Sequence, residues 1–188
     1  MLLSMRIYFT GSIVGKKYYL DNYLKIVGIV KKDKHQMIEE HIIQGNESKL
    51  RQENKNERLK FQSQLDKWIN SCDCMIAETS FPSISVGYEI SLALSRGKPV
   101  LILYSNGHAP TLLAHHRDEK LVCEKYTDDT LEDIIKDFLN YVQGANDMRF
   151  TFFITSEIAS FLEKISRDKK IPKSVYLRRL IEKEMNKK

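Results

Sequence analysis

Cysteine, proline and glycine are scarce in this chain of 188 residues, and it has no long apolar run. Its three cysteines, Cys72, Cys74 and Cys123, are an odd number with no second pair at the spacing of a zinc site. We therefore expect reduced thiols, no metal site and a cytoplasmic location. No apolar stretch approaches the roughly 20 residues that span a bilayer, and the opening residues run straight into a strand-like pattern. We expect neither a signal peptide nor a membrane partner.

Two nucleotide-binding fingerprints are also missing. The chain contains neither the G-x-x-x-x-G-K-[ST] of a P-loop nor the G-x-G-x-x-G of a dinucleotide-binding fold. Both absences argue against a P-loop ATPase and against a nicotinamide-dependent enzyme.

Most of the chain has no excess of positive charge. Residues 1–148 contain 19 Lys and Arg against 20 Asp and Glu, whereas residues 149–188 contain 11 against 5. The stretch "GAND" at 144–147 has the composition of a short linker. The sequence therefore predicts a first domain over residues 1–143 and a second over residues 148–188, with different partners.

Apolar segments alternate with segments of helical periodicity in the first domain. This alternation predicts a doubly wound, Rossmann-like or flavodoxin-like α/β fold with a mainly parallel sheet. Near-continuous apolar strands such as "CMIA" and "VLILY" fit a sheet that is buried on both faces. The predicted strands are 5–11, 35–43, 74–79 and 98–107, and the predicted helices are 16–30, 57–72, 86–97 and 127–142.

Two loops follow predicted strands and are candidates for ligand binding. In doubly wound sheets, ligands bind outside the carboxyl ends of the strands. The loops are "TGSIVG" after the first strand and "SFPSISVG" after "CMIAET". Glu89 follows the second loop near the predicted start of a helix, where a carboxylate serves either as a capping and dipole partner or as the residue that performs chemistry.

Three segments carry a family resemblance. "IYFTGSIVG" at 7–15, "DCMIAETSFPSISVGYE" at 73–89 and "GKPVLILY" at 97–104 resemble the nucleoside 2-deoxyribosyltransferase family, in particular its 2′-deoxynucleoside 5′-monophosphate N-hydrolases. The resemblance covers residues 5–142, and its most specific part is "PS-x-x-VGYE". It implies an enzyme that cleaves or exchanges the N-glycosidic bond between deoxyribose and a base, without a metal or organic cofactor.

The resemblance also implies roles for individual residues. Glu89 would attack the anomeric carbon as a nucleophile, kept ionised by the helix dipole and nearby amides, with Tyr8 and Tyr88 positioning it. Without the resemblance, Tyr8 would be a core residue and the loop serines ordinary turn residues. Amides and hydroxyls of the loops would form a nest for the substrate and its phosphate. The implied substrate-binding residues are Gly11, Ser12, Ile13, Gly15, Ser83, Ser85, Gly87 and Thr111.

The chain departs from the family pattern at two positions. Val14 stands where phosphate-preferring relatives carry an arginine, for which Lys16 or Lys17 is the candidate replacement. Leu65 stands where the family has an aspartate that assists proton transfer to the leaving base. Asp66 is the candidate for that role, although a shift of one residue rotates a helical side chain by about 100°. Loss of such assistance lowers a rate by about 10²–10⁴.

The basic C-terminal segment resembles a ribbon-helix-helix domain, with one strand followed by two helices. In such domains the strand side chains read the major groove of DNA, here Arg149 and Thr151, while Lys173 would contact phosphate. The alternative is a dimerisation module with a solvated basic face. One strand and two short helices cannot bury a core alone, so we expect a homodimer or higher oligomer.

Two functions of different classes follow from the sequence. The first is an enzyme that hydrolyses or transfers the N-glycosidic bond of a deoxyribonucleoside or its 5′-monophosphate through Glu89. The alternative is a nucleotide-sensing, DNA-binding transcriptional regulator with a weakly active or inactive first domain. Release of free base from a panel of deoxynucleotides separates the two functions.

Overall fold

A computed structural model of the chain describes residues 4–52, 54–107, 110, 118, 120–144, 154–169 and 172–186. The chain divides into two compact units, Met1–Lys125 and Tyr126–Lys188. The domain boundary that the sequence predicts at residues 143–148 stays a prediction. None of the helices in these ranges combines the length and hydropathy that a membrane span requires.

The first unit is built on a five-stranded parallel sheet. The strand order is β2-β1-β3-β4-β5, which confirms the predicted doubly wound α/β fold. Strand β3 is buried along its whole length, as the apolar sequence of its first four residues predicts. The strands are β1 (Arg6–Gly11), β2 (Gln36–Ile38), β3 (Cys74–Glu78), β4 (Val100–Tyr104) and β5 (Leu121–Lys125).

Five helices connect these strands within the described part of the first unit. Helix α4 begins with a reciprocal capping box, in which the Asn54 side chain accepts from the Glu57 amide and the Glu57 side chain accepts from the Asn54 amide. Helix α5 begins with Ser83 as its N-cap. The helices are α1 (Lys16–Lys32), α2 (Glu40–Ile43), α3 (Glu47–Gln52), α4 (Lys55–Ser71) and α5 (Ile84–Ser95).

The strand order reverses direction between β1 and β3. The chain leaves β1 toward β2 on one side, and after α4 it returns to β3 on the other side and continues outward to β4 and β5. In doubly wound sheets this switch point opens a crevice at the carboxyl ends of the two strands. The loops that follow β1 and β3, residues 12–15 and 79–83, are therefore brought to the same edge of the sheet.

The second and fifth strands differ from the sequence-based expectation. The apolar pattern at 35–43 predicts one strand, but β2 ends at Ile38 and the remainder forms the short helix α2. Short apolar runs do not distinguish a strand from a helical turn by periodicity. Strand β5 was not predicted, since its five residues include Glu124 and Lys125 and lie at the edge of the sheet, where burial is incomplete.

The second unit contains α6 (Leu131–Val142), α7 (Ser156–Lys169) and α8 (Lys173–Met185). Thr155 accepts a hydrogen bond from the Ile158 amide at 3.3 Å, as expected of a cap for α7. Helix α8 has Pro172 as its N-cap, so Ser174, the predicted cap, lies inside the first turn. Two predicted DNA contacts, Arg149 and Thr151, lie outside the described residues. Lys173 forms an ion pair with Glu163 at 3.1 Å.

Candidate active site

A carboxylate and a phenol meet inside the first unit at the switch point. Tyr8 lies on β1 and is fully buried, and Glu89 lies on α5 with 5% of its surface exposed. The Tyr8 hydroxyl donates a hydrogen bond of 3.0 Å to Glu89 Oε2. The structure thus brings together the two residues for which the sequence predicts a joint catalytic role.

Glu89 lies deeper in its helix than the sequence predicts. The expected start of the helix at Val86 would put Glu89 in the first turn, where the dipole acts most strongly. Because Ser83 accepts a hydrogen bond from the Val86 amide at 3.4 Å, the helix begins at Ile84 and Glu89 falls in the second turn. The helix dipole therefore acts less strongly on Glu89 than the sequence predicts, and the structure shows a hydrogen bond from Tyr8 to its carboxylate.

Burial dominates the electrostatics of the pair. Desolvation raises the pKa of Glu89 above its ordinary value, while the nearby Thr10 and Tyr8 hydroxyls act in the opposite direction. The pKa of Tyr8 is raised by burial and then by the nearby charge of Glu89. Tyr8 therefore keeps its proton and remains the donor to the carboxylate throughout the ordinary pH range.

The loop after β1 is closely packed around its glycines. A Cβ atom on Gly11 would lie 2.9 Å from the Tyr23 ring, and one on Gly15 would lie 2.4 Å from Phe81 Cβ. Ser12 Oγ accepts a hydrogen bond of 3.0 Å from the Gly15 amide, which leaves its own O–H free to donate elsewhere. Ile13 is half-buried on the same loop. The glycines thus let the loop pack closely against Tyr23 and Phe81, and the phosphate nest stays a prediction.

The loop before α5 has a structural role in this arrangement. Ser83 caps the helix, and its carbonyl accepts from the Gly87 amide at 3.1 Å. Ser85 is exposed and Gly87 is half-buried. The exposed position of Ser85 is compatible with the predicted substrate contact, which stays a prediction for all three residues. Thr111, also predicted to bind substrate, lies outside the described residues.

The two lysines considered as replacements for an arginine differ in their contacts. Lys16 donates to the Ile43 carbonyl at 2.9 Å and also to the Gly45 carbonyl, at the carboxyl end of α2. This contact stabilises the negative end of a short helix and occupies the ammonium group. Lys17 is exposed and its ammonium lies 4.9 Å from the centroid of the Tyr18 ring.

Asp66 is engaged away from Glu89. Its carboxylate accepts from Arg96 Nη2 at 2.5 Å, and its carbonyl accepts from Arg96 Nη1 at 3.0 Å. Arg96 follows Glu89 by two helical turns, about 10 Å along the axis of α5. Leu65 is buried in the core. The contacts of the Asp66 carboxylate that the structure shows are thus with Arg96, after the last turn of α5, and its catalytic role stays a prediction.

Sequence reasoning missed two polar residues near the pair. Thr10 lies on β1, and its hydroxyl lowers the pKa of Glu89. The apolar pattern places His41 in a strand and gives it no role, yet its ring stacks on Tyr8 with centroids 5.0 Å apart. The alternation of β1 was the available signal for Thr10, because residues two apart share one face of a strand and Tyr8 already faces the site.

Glu78 ends β3 on the same edge of the sheet. It is fully buried and accepts hydrogen bonds from the amide and hydroxyl of Ser80, whose oxygen also accepts from the Ser105 amide at 2.8 Å. This arrangement ties the loop after β3 to the loop after β4, which agrees with a structural role.

The fold and the site together define a doubly wound α/β protein with a buried carboxylate at the switch point of its sheet. Within the part of the chain that the structure describes, no cluster of three His, Cys, Asp or Glu side chains is placed to hold a metal ion.

Residues 7–134 match the family model described as nucleoside 2-deoxyribosyltransferase. The chain belongs to this family, which confirms the resemblance inferred from the sequence.

A 5-hydroxymethyl-dUMP N-hydrolase of Esox lucius is 30% identical over 139 residues, covering 71% of this chain and 95% of that protein. The protein of the same name from Tetraodon nigroviridis is 26% identical over 151 residues, covering 72% and 98%. A solved structure of the CMP N-glycosidase BcmB of Clostridium botulinum aligns with a TM-score of 0.46 and 17% identity, over 73% of this chain and 97% of that chain.

Proposed function

We propose that this chain hydrolyses, or transfers, the N-glycosidic bond of a deoxyribonucleoside or its 5′-monophosphate, with Glu89 as the nucleophile. Family membership supports the class of reaction, and the names of the relatives, N-hydrolases of a deoxynucleotide, support the class of substrate. The observation that carries the proposal is the 3.0 Å hydrogen bond from Tyr8 to the buried Glu89 carboxylate at the switch point of the sheet.

The proposed reaction has two steps. The Glu89 carboxylate attacks C1′ of the sugar, the C1′–N bond breaks with its electron pair moving to the base, and a glycosyl-enzyme ester forms. Water, or a second base in a transfer reaction, then attacks C1′ and releases Glu89. Tyr8 fixes the orientation of the carboxylate, and burial strengthens each electrostatic interaction inside the site.

The β1–α1 loop is the proposed site for the 5′ end of the substrate. The loop follows β1 at the switch point of the sheet, and the Ser12 hydroxyl retains a donor. Lys16 contributes its charge to the end of α2 and not to this loop. The proposal therefore includes both the nucleoside and the monophosphate as substrates.

Release of free base tests the proposed function. The purified chain is incubated with the four deoxynucleoside 5′-monophosphates and their deoxynucleosides, and free base is measured by chromatography. We expect Glu89→Gln to lower the rate by on the order of 10⁴, while the exposed control Glu40→Gln leaves it unchanged. Activity that survives Glu89→Gln would rule out Glu89 as the nucleophile.

A further proposal concerns the C-terminal segment, which we infer to mediate self-association and DNA binding. Its excess of positive charge supports contact with phosphates. Several large apolar side chains of α7 and α8 are exposed within the second unit, and a second copy of the chain is the proposed cover for them. They are Ile158, Phe161, Leu180, Ile181 and Met185.

A further inference from the structure

Thr10 lies on the same strand and the same face as Tyr8. Residues two apart on a strand point to one face of the sheet, and both residues belong to β1. Tyr8 is paired in register with Ile38, the last residue of β2, so Thr10 lies beyond the end of that strand, toward the carboxyl edge of the sheet. On its other side Thr10 is paired with Ala77 of β3. Thr10 is therefore placed between Tyr8 and the loop that follows β1.

The Thr10 hydroxyl is buried, and no described contact uses it to stabilise the fold. The residue has no exposed surface, and its Oγ1 atom has no hydrogen-bond partner among the described residues. A buried hydroxyl without a partner costs free energy that a valine of nearly the same shape would not cost. The packing of β1 therefore gives no reason for a threonine at this position.

The group that this hydroxyl can reach is the carboxylate of Glu89. Glu89 lies on α5, which packs against β1, and its Oε2 accepts the hydrogen bond of 3.0 Å from Tyr8. The Thr10 hydroxyl lies near the same carboxylate and lowers its pKa. One hydrogen bond leaves a carboxylate free to turn about that contact, whereas a second donor fixes the plane of the group.

We propose that Thr10 is a second positioning residue of the nucleophile, whose hydroxyl donates to the ionised Glu89 carboxylate beside Tyr8. The contact closes by rotation of the Thr10 or Glu89 side chain when the carboxylate carries its charge, and the two donors then fix the direction from which Glu89 meets C1′. In the second step, the same donors stabilise the charge that returns to Glu89 as its ester with C1′ breaks. The inference rests on the proposed function, because it requires Glu89 to act as a nucleophile.

The titratable groups around the carboxylate can be separated from this effect. Tyr8 keeps its proton, and burial raises the pKa of Cys72, the C-cap of α4, to about 11. Burial lowers the pKa of His41 of α2, whose ring stacks on Tyr8, to about 4. Glu78 ends β3 and is tied to the loop that follows it. A change of the threonine leaves all of these groups in place. The residues of β3, β4 and α4 in the same core cluster are apolar, namely Met75, Ala77, Val100, Ile102, Leu65 and Ile69.

The test is the titration of Glu89 in Thr10→Val, which keeps the shape of the side chain and removes the hydroxyl. Glutamate labelled with ¹³C at Cδ reports the titration by NMR, and the Glu89 signal is the one lost in Glu89→Gln. We expect the pKa of Glu89 to be higher in Thr10→Val, because the ionised form loses a donor, and to return toward its original value in Thr10→Ser. On the acid side of the pH profile, kcat/KM for base release should fall by about 10-fold or more in Thr10→Val.

Thr79→Val is the matched control at the same edge of the sheet. The Thr79 hydroxyl donates to the Leu103 carbonyl at 3.1 Å, so its loss should lower the free energy of unfolding and leave the titration of Glu89 unchanged. Thr10→Val should show the reverse, with a shifted titration and a free energy of unfolding that is unchanged or higher. Should Thr10→Val fail to fold, Thr10→Ala and Thr10→Ser form the deciding pair, because they differ in the hydroxyl alone.

The outcomes separate the inference from the proposed function. An unchanged titration of Glu89 in Thr10→Val, or equal titrations in Thr10→Ala and Thr10→Ser, would overturn the inference even where base is released at the normal rate. If the unaltered chain releases no base from any substrate, the proposed function falls, and the role of Thr10 toward a nucleophile falls with it.

Discussion

At the scale of single residues, the site depends on opposing effects at one carboxylate. Burial raises the pKa of Glu89, and the nearby hydroxyls of Thr10 and Tyr8 lower it. A carboxylate that attacks carbon must be deprotonated, so the raised pKa moves the acid limit of activity above the pH expected for an exposed glutamate. The two hydroxyls oppose this shift.

Removal of the Tyr8 hydroxyl should shift this limit further. In Tyr8→Phe, the carboxylate loses a donor that lowers its pKa, so the pKa of Glu89 rises and activity is lost at a higher pH as the solution is acidified. A hydrogen bond to a charged group corresponds to about one pH unit or more. The pH profile of kcat/KM measures the shift. An acid limb at the same pH in both proteins would mean that Tyr8 does not act on the ionisation of Glu89.

Asp66→Asn tests the role that the sequence assigns to this residue. Because the Asp66 carboxylate is paired with Arg96 and stands away from Glu89, we expect base release to stay within about threefold of the unaltered chain. The half-exposed ion pair should contribute only about 0–1 kcal/mol to the free energy of unfolding. Parallel assays of base release and urea unfolding measure both effects. A loss of about 10² or more in rate with unchanged stability would restore Asp66 as a proton donor.

At the scale of elements, the sequence predicted the parts of the site that depend on chain order. The strand that holds Tyr8 and the loop and helix that hold Glu89 follow from hydrophobic patterning, and a doubly wound sheet necessarily brings their ends to one edge. Hydrophobic patterning does not predict which side chains that are distant in the sequence come into contact. Asp66 and Arg96 are thirty residues apart, and nothing in the local sequence of either predicts the pair.

Boundaries of elements were less predictable for a local reason. The start of α5 depends on whether Ser83 or a later residue caps it, and both Ser83 and Ser85 are good caps. The selection of Ser83 moves Glu89 from the first turn to the second and changes the source of its electrostatic support. A shift of two residues in a boundary thus alters the mechanism inferred for the site, even where the fold is correct.

Substitution of alanine for two different glycines should change the free energy of unfolding in opposite directions. Gly28 lies within α1, and a Cβ atom added there would meet no neighbouring atom within 4 Å, so Gly28→Ala should stabilise the chain by about 0.5–1 kcal/mol through helix propensity. Gly15 has helical dihedral angles that alanine also adopts, but its Cβ would lie 2.4 Å from Phe81 Cβ. Gly15→Ala should therefore destabilise the chain by about 1–3 kcal/mol. Urea midpoints of the two variants should move in opposite directions, and a shift in the same direction would contradict this account of the loop.

At the scale of the whole molecule, charge is divided along the chain. Residues 1–148 have almost no net charge and contain the buried carboxylate site. Residues 149–188 are basic and contain α7 and α8. Binding of a small molecule needs only a few well-placed groups, whereas binding of a polyanion depends on the number of cations in a segment. The division therefore agrees with one segment that acts on a small substrate and another that binds a larger partner.

Truncation separates these two properties. We expect residues 1–148 alone to retain base release, because Tyr8, Glu89 and the loops around them all lie in the first unit. The same truncation should lower the number of chains per particle in solution and abolish DNA binding.

In the full chain, DNA affinity should fall steeply between 50 and 200 mM salt, on the order of 10³-fold if about six phosphates are contacted. Light scattering after size exclusion gives the mass, and fluorescence anisotropy with a labelled duplex gives the affinity. Arg149→Ala should weaken binding, while the exposed first-unit control Lys55→Ala should not. If the number of chains per particle and the DNA affinity are both unchanged after truncation, the basic segment is neither an association module nor a DNA-binding one. Base release lost with the segment would instead indicate that the active assembly requires the second unit.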